Sequence, residues 1–276
     1  MLLDGKLISE EIKKRVAEEV YSLNDTLTLA IILVGKDPAS EIYVNSKTKA
    51  CEKAGIKTKD YFLDNKIPEK ELIDLIRTLN EDPLITGILV QMPLPSHISE
   101  DNVVNSIDPA KDVDGLNIIN QGKLLNNANC IVPATPKGIL TLLKRYFVEI
   151  SGKHAVIIGR SKLVGKPMAL LLLNNNATIT VCHSRTENLK EIVKRADIVI
   201  VAIGKPKFLT ADMVKKDAAV IDVGINRVQG KIVGDVDFEE VSEVASYITP
   251  VPRGVGPMTI ASLLENVVKC YHMQNK

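Results

Sequence analysis

The chain lacks the marks of several protein classes, and each absence narrows what it can do. Lysine and arginine (35) barely exceed aspartate and glutamate (34), for a formal net charge of +1, so the basic excess of a nucleic-acid binder is missing. The four cysteines, Cys51, Cys130, Cys182 and Cys270, stand far apart with no C-x-x-C pairing. That argues against a disulfide framework or zinc site and for reduced thiols in a cytosolic protein. His97, His154 and His272 have no partners at metal-ligand spacing, and no metal is expected. Apolar runs such as Met168–Leu173 fall far short of the roughly 20 residues that cross a bilayer. The opening Met1-Leu2-Leu3-Asp4-Gly5-Lys6 does not follow the basic-then-apolar order of a secretory signal. Internal repeats, low-complexity segments and long charge runs are absent too. The expectation is a cytoplasmic protein with neither nucleic acid nor membrane as partner.

What is present is alternation. With 276 residues, 45% hydrophobic and 25% charged, the chain has room for one large domain or two modest ones. Leu7, Ile8, Ile12, Val16 and Val20 recur at helical spacing after Asp4, and Leu29–Val34 is a continuous apolar run closed by Gly35, the pattern of a buried strand. Asp37-Pro38 offers an N-cap and a first-turn proline, and Gly55 a C-cap, so 38–54 is expected to be a helix. A strand near 57–63, a helix over 68–80 and a strand over 85–91 follow, the last stopped by Pro93 and Pro95. The stretch 94–136, rich in Asn, Asp, Gly and Pro, is irregular, and a helix at 137–147 leads out of it. A second series of strands is expected at 154–158, 177–182, 197–203, 219–223 and 246–249, with helices between the first four. Strand–helix alternation of this kind implies parallel sheets, hence two α/β domains.

One turn of the second series points to a dinucleotide. Ala155–Ile158 runs into Gly159-Arg160-Ser161-Lys162-Leu163-Val164-Gly165-Lys166-Pro167 and then an apolar helix. Glycine at a strand end lets the backbone approach a pyrophosphate seated on the helix N-terminus. The spacing is not G-x-G-x-x-G, and a plain strand-to-helix turn would use the same glycines. The second strand discriminates further. After Cys182 come His183-Ser184-Arg185-Thr186, where an NAD enzyme usually places an acid for the ribose 2′-hydroxyl. A hydroxyl at Ser184 with cations at Arg185 and Arg160 suits a 2′-phosphate, so NADP is the expected cofactor.

The first half carries a different set. Tyr43 and Lys47, four apart on the 38–54 helix, share a face. A phenol beside an ammonium can manage protons, although the same pair arises on ordinary helix surfaces. Gln91 ends a very apolar strand, at the carboxyl end where open α/β sheets bind ligands; an amide satisfying loop carbonyls would look the same. Lys111-Asp112-Val113-Asp114-Gly115 puts two carboxylates in a turn. Asp112 reads as an aspartate bonding its own backbone, whereas Asp114, beside Gly115, stays open between turn and ligand.

Taken together, these segments resemble the bifunctional methylenetetrahydrofolate dehydrogenase/methenyltetrahydrofolate cyclohydrolase family. The resemblance rests on Tyr43-Val-Asn-Ser-Lys47, Gly87-Ile-Leu-Val-Gln91-Met-Pro93-Leu94-Pro95, Lys111–Gly115, Pro133-Ala-Thr135-Pro136-Lys-Gly138, Gly159-Arg-Ser161 with Val164-Gly165-Lys-Pro167, Ile221-Asp-Val-Gly224-Ile225-Asn226, and Thr249–Thr259, in the family's order across nearly the whole chain. It implies a folate-binding catalytic domain over 1–119 and a Rossmann-type NADP-binding domain over 120–258. The last helix, 259–273, would pack back on the first domain. The active site would lie in the cleft between domains, in a homodimer acting on tetrahydrofolate derivatives.

By matching position, Lys47 would be the central catalytic residue, with Tyr43 stacking on or orienting the folate, Gln91 tuning Lys47 and Asp114 binding the pterin ring. Gly159, Arg160, Ser161, Ser184 and Ile225 would contact NADP, with Arg160 and Ser184 at the 2′-phosphate. Pro252 and Gly256 would border the substrate. The chain departs from the family's pattern at Met92, where leucine is common, at Ala134, where cysteine is frequent, and at Arg253, which replaces a glycine. An arginine there disfavours a positive φ and puts the loop's shape in question.

The implied activity is oxidation of 5,10-methylenetetrahydrofolate to the methenyl cation by hydride transfer to NADP, then hydrolysis to 10-formyltetrahydrofolate, a step of one-carbon metabolism. A dehydrogenase without useful cyclohydrolase activity is the alternative among enzymes. From another class, the alternative is a non-catalytic NADP-binding regulator, which would not need the Tyr43, Lys47, Gln91 and Asp114 set.

Overall fold

The computed structural model describes residues 1–275. Their internal contacts divide them into two compact units, one of 1–10 with 135–259 and one of 11–134 with 260 onward. The division falls later than the expected break after residue 119, and local bonding explains why. Ile131 N–H donates to Asn120 Oδ1 at 3.3 Å, and a Cβ on Gly115 would lie 2.7 Å from the Ile131 carbonyl oxygen. Residues 120–134 therefore stay with the segment that carries Asp114.

The 11–134 unit is built on a three-stranded parallel sheet. After α1 (Gly5–Ser22) come β1 (Thr28–Val34), α2 (Pro38–Lys53), β2 (Lys57–Leu63), α3 (Glu69–Glu81) and β3 (Gly87–Val90), in strand order β2-β1-β3. β1 is central and buried from Leu29 to Val34, which is why it reads as a continuous apolar run. β2 lies at the edge, and its exposed positions are Lys57, Lys59, Asp60 and Phe62. α2 begins where expected: Asp37 accepts from Ser40 N–H at 2.8 Å, and Pro38 needs no donor in the first turn. Its end is followed by Gly55 at φ +76°, a left-handed position that glycine takes without strain. α3 presents Leu72, Ile76 and Leu79 to Ala30, Ile32, Val34, Ile88 and Val90. The expected irregular stretch contains two short helices, α4 (Glu100–Ser106) and α5 (Ile118–Leu125), capped by Ser99 and Asn117.

The 135–259 unit follows with α6 (Ala134–Arg145), β4 (His154–Ile158), α7 (Gly165–Leu173), β5 (Thr178–Cys182), α8 (Leu189–Val193), β6 (Ile198–Val201), β7 (Ala219–Asp222), the hairpin β8 (Asn226–Val228) and β9 (Lys231–Val233), α9 (Phe238–Ser242) and β10 (Tyr247–Ile248). The last helix, α10 (Val255–Gln274), starts four residues before its expected boundary. Five strands form one parallel sheet in the order β10-β7-β6-β4-β5. The chain goes from β4 out to β5 on one side and returns to β6 on the other. In a doubly wound sheet that reversal opens a crevice at the carboxyl ends of the strands.

One expected helix is missing. Between β6 and β7 only a short 3₁₀ turn (Ala211–Met213) forms. Gly204 and Lys207 hold φ of +64° and +54°, and Leu209 pairs with Asp235 and Asp237 through backbone hydrogen bonds of 2.9 and 2.8 Å. Those non-local bonds take the groups that a helix would use.

Candidate active site

In the 11–134 unit, Tyr43, Lys47 and Cys51 follow one another at four-residue steps along α2 and so share a face. Lys47 Nζ donates to Gln91 Oε1 at 2.9 Å. Gln91 lies one residue beyond β3, where its N–H still bonds the Ile32 carbonyl at 2.9 Å, so the sheet fixes its backbone. Its side-chain Nε2 donates to the Met92 carbonyl at 2.7 Å, which leaves the amide oxygen facing Lys47. Three of the four residues proposed for chemistry, Lys47, Gln91 and Asp114, are thus electrostatically or directly linked.

Lys47 and Asp114 retain some exposed surface, yet their charged groups are closely surrounded by protein. Burial pushes the Lys47 ammonium below its ordinary value, with the Asp114 charge opposing the shift. It likewise raises the Asp114 carboxyl above the usual carboxylate range, with Lys47 opposing. Both groups are therefore shifted toward neutrality. Cys51, pushed up to about 12 by burial, is no nucleophile. Tyr43 is 39% exposed at the same face.

The turn that presents Asp114 is anchored at every neighbouring residue. Lys111 Nζ donates to the carbonyls of Leu79, Asn80 and Asp82 at 3.1, 2.8 and 2.8 Å, the unpaired groups at the end of α3. Asp112 is buried and accepts from Asn117 N–H at 2.8 Å and Asn120 Nδ2 at 3.0 Å, the turn-stabilising role expected of it. Asn266 Nδ2 donates to the carbonyls of Val113 and Val132 at 2.8 Å each. Gly115, at φ +66°, has no room for a Cβ. The anchoring roles of Lys111 and Asn266 are not legible in the sequence, because their partners are 29 to 153 residues away.

In the 135–259 unit, Gly159 sits at the end of β4 with φ +120°, and a Cβ there would lie 2.4 Å from the Ala202 carbonyl oxygen beyond β6. The close approach occurs at the reversal of strand order. A Cβ on Gly165 would meet the Gly159 carbonyl oxygen at 2.2 Å, so the turn and the first residue of α7 are pressed together. Ser161 Oγ accepts from the N–H groups of Val164 and Gly165 at 3.1 and 3.4 Å, a cap that leaves its hydroxyl proton for another acceptor. Arg160 and Ser184 are both exposed, each two residues past the paired strand ends Ile158 and Cys182. No hydrogen bond joins them among the described residues. A cramped glycine turn, a helix N-terminus and an exposed guanidinium together fit a phosphorylated dinucleotide.

Ile225 is 47% exposed, and a Cβ on Gly256 would lie 3.9 Å from its Cδ1, so these two expected site residues are neighbours. Pro252 is exposed and follows a cis peptide bond. Arg253 holds φ +89°: the loop keeps the glycine-like conformation despite the arginine. Its guanidinium pairs with Asp4 Oδ2 at 2.5 Å, a partner the sequence did not suggest.

Comparison with known proteins covers the whole chain. A family model described as tetrahydrofolate dehydrogenase/cyclohydrolase, catalytic domain, matches residues 3–114, and its NAD(P)-binding-domain counterpart matches residues 133–275. The bifunctional protein FolD of Campylobacter hominis is 56% identical over 272 residues, covering 97% of this chain and 96% of that one. Among solved structures, the bifunctional methylenetetrahydrofolate dehydrogenase/cyclohydrolase of Campylobacter jejuni superposes with a TM-score of 0.97 at 52% identity, covering 99% of each chain. The Trypanosoma brucei enzyme, solved with NADP cofactor and inhibitor, gives 0.95 at 37% identity, with 100% of this chain and 98% of that chain covered.

Proposed function

The chain belongs to the tetrahydrofolate dehydrogenase/cyclohydrolase family, and from that premise we propose that it oxidises 5,10-methylenetetrahydrofolate to the 5,10-methenyl cation with NADP and hydrolyses the cation to 10-formyltetrahydrofolate. The folate chemistry is assigned to the 11–134 unit and dinucleotide binding to the 135–259 unit. The enzyme works in the cytoplasm as a homodimer, with neither nucleic acid nor membrane as partner.

NADP, held by Gly159, Arg160, Ser161, Ser184 and Ile225 with Arg160 and Ser184 at the 2′-phosphate, supplies the hydride acceptor. The methylene carbon lies between two nitrogens whose lone pairs stabilise the resulting cation, so no acidic proton has to be removed. The protein's contribution to this step is positioning: Tyr43 lies along the folate, and Asp114 accepts hydrogen bonds from the pterin ring.

Hydrolysis makes different demands. Water adds to the methenyl carbon and loses one proton; the bond from that carbon to N5 then breaks as N5 gains a proton and the new hydroxyl releases its own to become the formyl carbonyl. The balance is one cation plus water giving the formyl product and one proton. Lys47, shifted toward its neutral amine by burial, takes the proton from the water and returns it to N5. Gln91 directs the amine by accepting its hydrogen bond, and the Nζ–Oε1 contact of 2.9 Å is the observation that carries this reading.

The test is purified protein with methylenetetrahydrofolate and either NADP or NAD, followed by absorbance and product analysis. Reduction with NADP and appearance of the formyl product are expected. Methenyl-folate that accumulates without hydrolysis would leave a dehydrogenase alone. Binding of both ligands without hydride transfer would leave a non-catalytic binder.

A further inference from the structure

Two carboxylates that this mechanism does not use are buried in the 135–259 unit. Asp222 ends β7 and is 3% exposed, and Asp235 follows β9 and is 0% exposed. Neither has an ion-pair partner among the described residues; their oxygens are satisfied by N–H groups instead. Asp222 Oδ1 accepts from the N–H groups of Gly224 at 3.0 Å and Asp235 at 2.9 Å, and its Oδ2 accepts from Val236 N–H at 3.0 Å. Asp235 Oδ2 accepts from the N–H groups of Ile203 at 2.8 Å and Gly204 at 2.9 Å, and its Oδ1 from Asn226 Nδ2 at 2.9 Å.

The pair therefore ties together three segments: the loop after β6, the loop after β7, and the return from the β8–β9 hairpin. Packing allows no slack. A Cβ on Gly234 would lie 1.7 Å from Asp222 Oδ2, and one on Gly224 would lie 2.2 Å from Asp235 Oδ1. The residue type follows from the donors. A carboxylate accepts at both oxygens and donates at neither, whereas an amide in the same nest would turn an N–H₂ toward other N–H groups. Burying two unpaired acids carries a desolvation cost, and what it secures is the geometry of loops at the carboxyl ends of β6 and β7. One of these loops follows Ala202, whose carbonyl touches the Gly159 turn; the other carries Ile225.

We propose that Asp235, backed by Asp222, is a positioning residue that holds the 203–204 and 224–226 loops in the geometry that binds NADP. The inference rests on the assignment of the dinucleotide to this unit. It predicts a separation of the two activities, because hydrolysis of supplied methenyl-folate draws on Lys47, Gln91 and Asp114 and needs no electron acceptor.

The experiment exchanges the two sides of the Asn226–Asp235 hydrogen bond. Asn226→Asp sets two carboxylates against each other, and Asp235→Asn sets two amide N–H₂ groups against each other. The double variant restores one donor and one acceptor with their roles reversed. NADP affinity is measured by calorimetry on the full chain, beside hydrolysis of added methenyl-folate and thermal melting. Each single variant should weaken NADP by about tenfold or more, the usual consequence of losing a hydrogen bond to a charged group. Hydrolysis should stay near wild type, and the double variant should recover most of the affinity. Should the single exchanges fail to fold, Asn226→Ala removes the donor without adding charge and should show the same affinity loss.

Variants that bind NADP like the wild type overturn the inference, as does a double variant no better than the worse single one. Hydrolysis falling in parallel with NADP affinity overturns it too, because that marks general destabilisation. A wild-type protein that binds no NADP overturns the functional reading itself, which separates the two failures.

Discussion

Replacing Lys47 with methionine separates the two proposed steps. Methionine keeps most of the stem's apolar bulk and deletes the amine, together with the 2.9 Å donation to Gln91 and the charge that opposes protonation of Asp114. Hydride transfer leaves a cation already stabilised by two nitrogens, whereas hydrolysis requires a proton to be taken up and returned. Loss of a positioned acid–base group costs roughly 10²-fold or more, about 2.7 kcal/mol of barrier, and that loss should fall on hydrolysis. Dehydrogenase activity should remain measurable, so methenyl-folate accumulates and is read by its absorbance. Stability should not drop, since burial already disfavours the ammonium and methionine has no charge to desolvate. Lys47→Arg sharpens the test, because arginine keeps the charge but cannot give up its proton; it should hydrolyse no better than methionine. The hydrolysis rate of the wild type should rise with pH through the depressed Lys47 value, a limb absent from both variants. A Lys47→Met protein that is folded, binds NADP and hydrolyses methenyl-folate at the wild-type rate would refute the reasoning.

Arg160→Ala should raise the Michaelis constant for NADP by about tenfold or more, as a lost charge-assisted contact worth roughly 1.5–3 kcal/mol implies. It should leave that for NAD nearly unchanged, and equal effects in the two titrations would remove Arg160 from the 2′-phosphate. Burial raises the Asp222 carboxyl to about 6 from an ordinary 3.8, so its contribution to stability is fully present below pH 3.8 and is lost as pH rises through about 6. Asp222→Asn has no such titration, and its stability relative to wild type in urea should improve by up to about 3 kcal/mol between about pH 4 and pH 7.5; a constant difference would contradict the assignment. Arg253→Gly should leave the melting temperature equal or raised, because relief of a left-handed arginine, roughly 1–2 kcal/mol, outweighs an exposed ion pair worth about 0–1 kcal/mol. A clear fall in melting temperature would mean that the contact with Asp4 does more than its exposure suggests.

What the sequence disclosed was local. The Asp37-Pro38 start of α2, the buried run of β1 and the glycine turn after β4 each depend on neighbours within a few residues, and each stands where its residues placed it. The four-residue step from Tyr43 to Lys47 gave the shared face, and the family resemblance singled out Gln91 and Asp114. Features fixed by distant partners stayed hidden. α4 and α5 look like loop in composition; Ser99 and Asn117 cap them, and Glu69 bonds the Ser99 cap from 30 residues away. The missing helix between β6 and β7 has the same cause, since Leu209 is held by residues beyond the β8–β9 hairpin. Arg253 is the opposite case. The residue type argues against a positive φ, yet Lys6 N–H donating to the Arg253 carbonyl at 2.9 Å and Gly254 N–H donating to the Pro250 carbonyl at 2.8 Å hold the loop in that shape.

Burial alone does not distinguish the acids that act from the acids that brace. Asp112, Asp222 and Asp235 are all buried and all accept from N–H donors, Asp112 twice at Oδ2 and the other two at both oxygens. Desolvation raises Asp112 and Asp222 to about 6, but both are tied into the fold by several N–H donors. Asp114 is different. Among the described residues no hydrogen bond reaches its carboxylate, and the influence that offsets its desolvation is the charge of Lys47. A group in that condition can bind a ring that brings its own N–H donors, because the ligand supplies what the fold withholds. The same turn that nests Asp112 thus leaves Asp114 without a hydrogen bond two residues later among the described residues, and that contrast supports the role proposed for Asp114 toward the pterin.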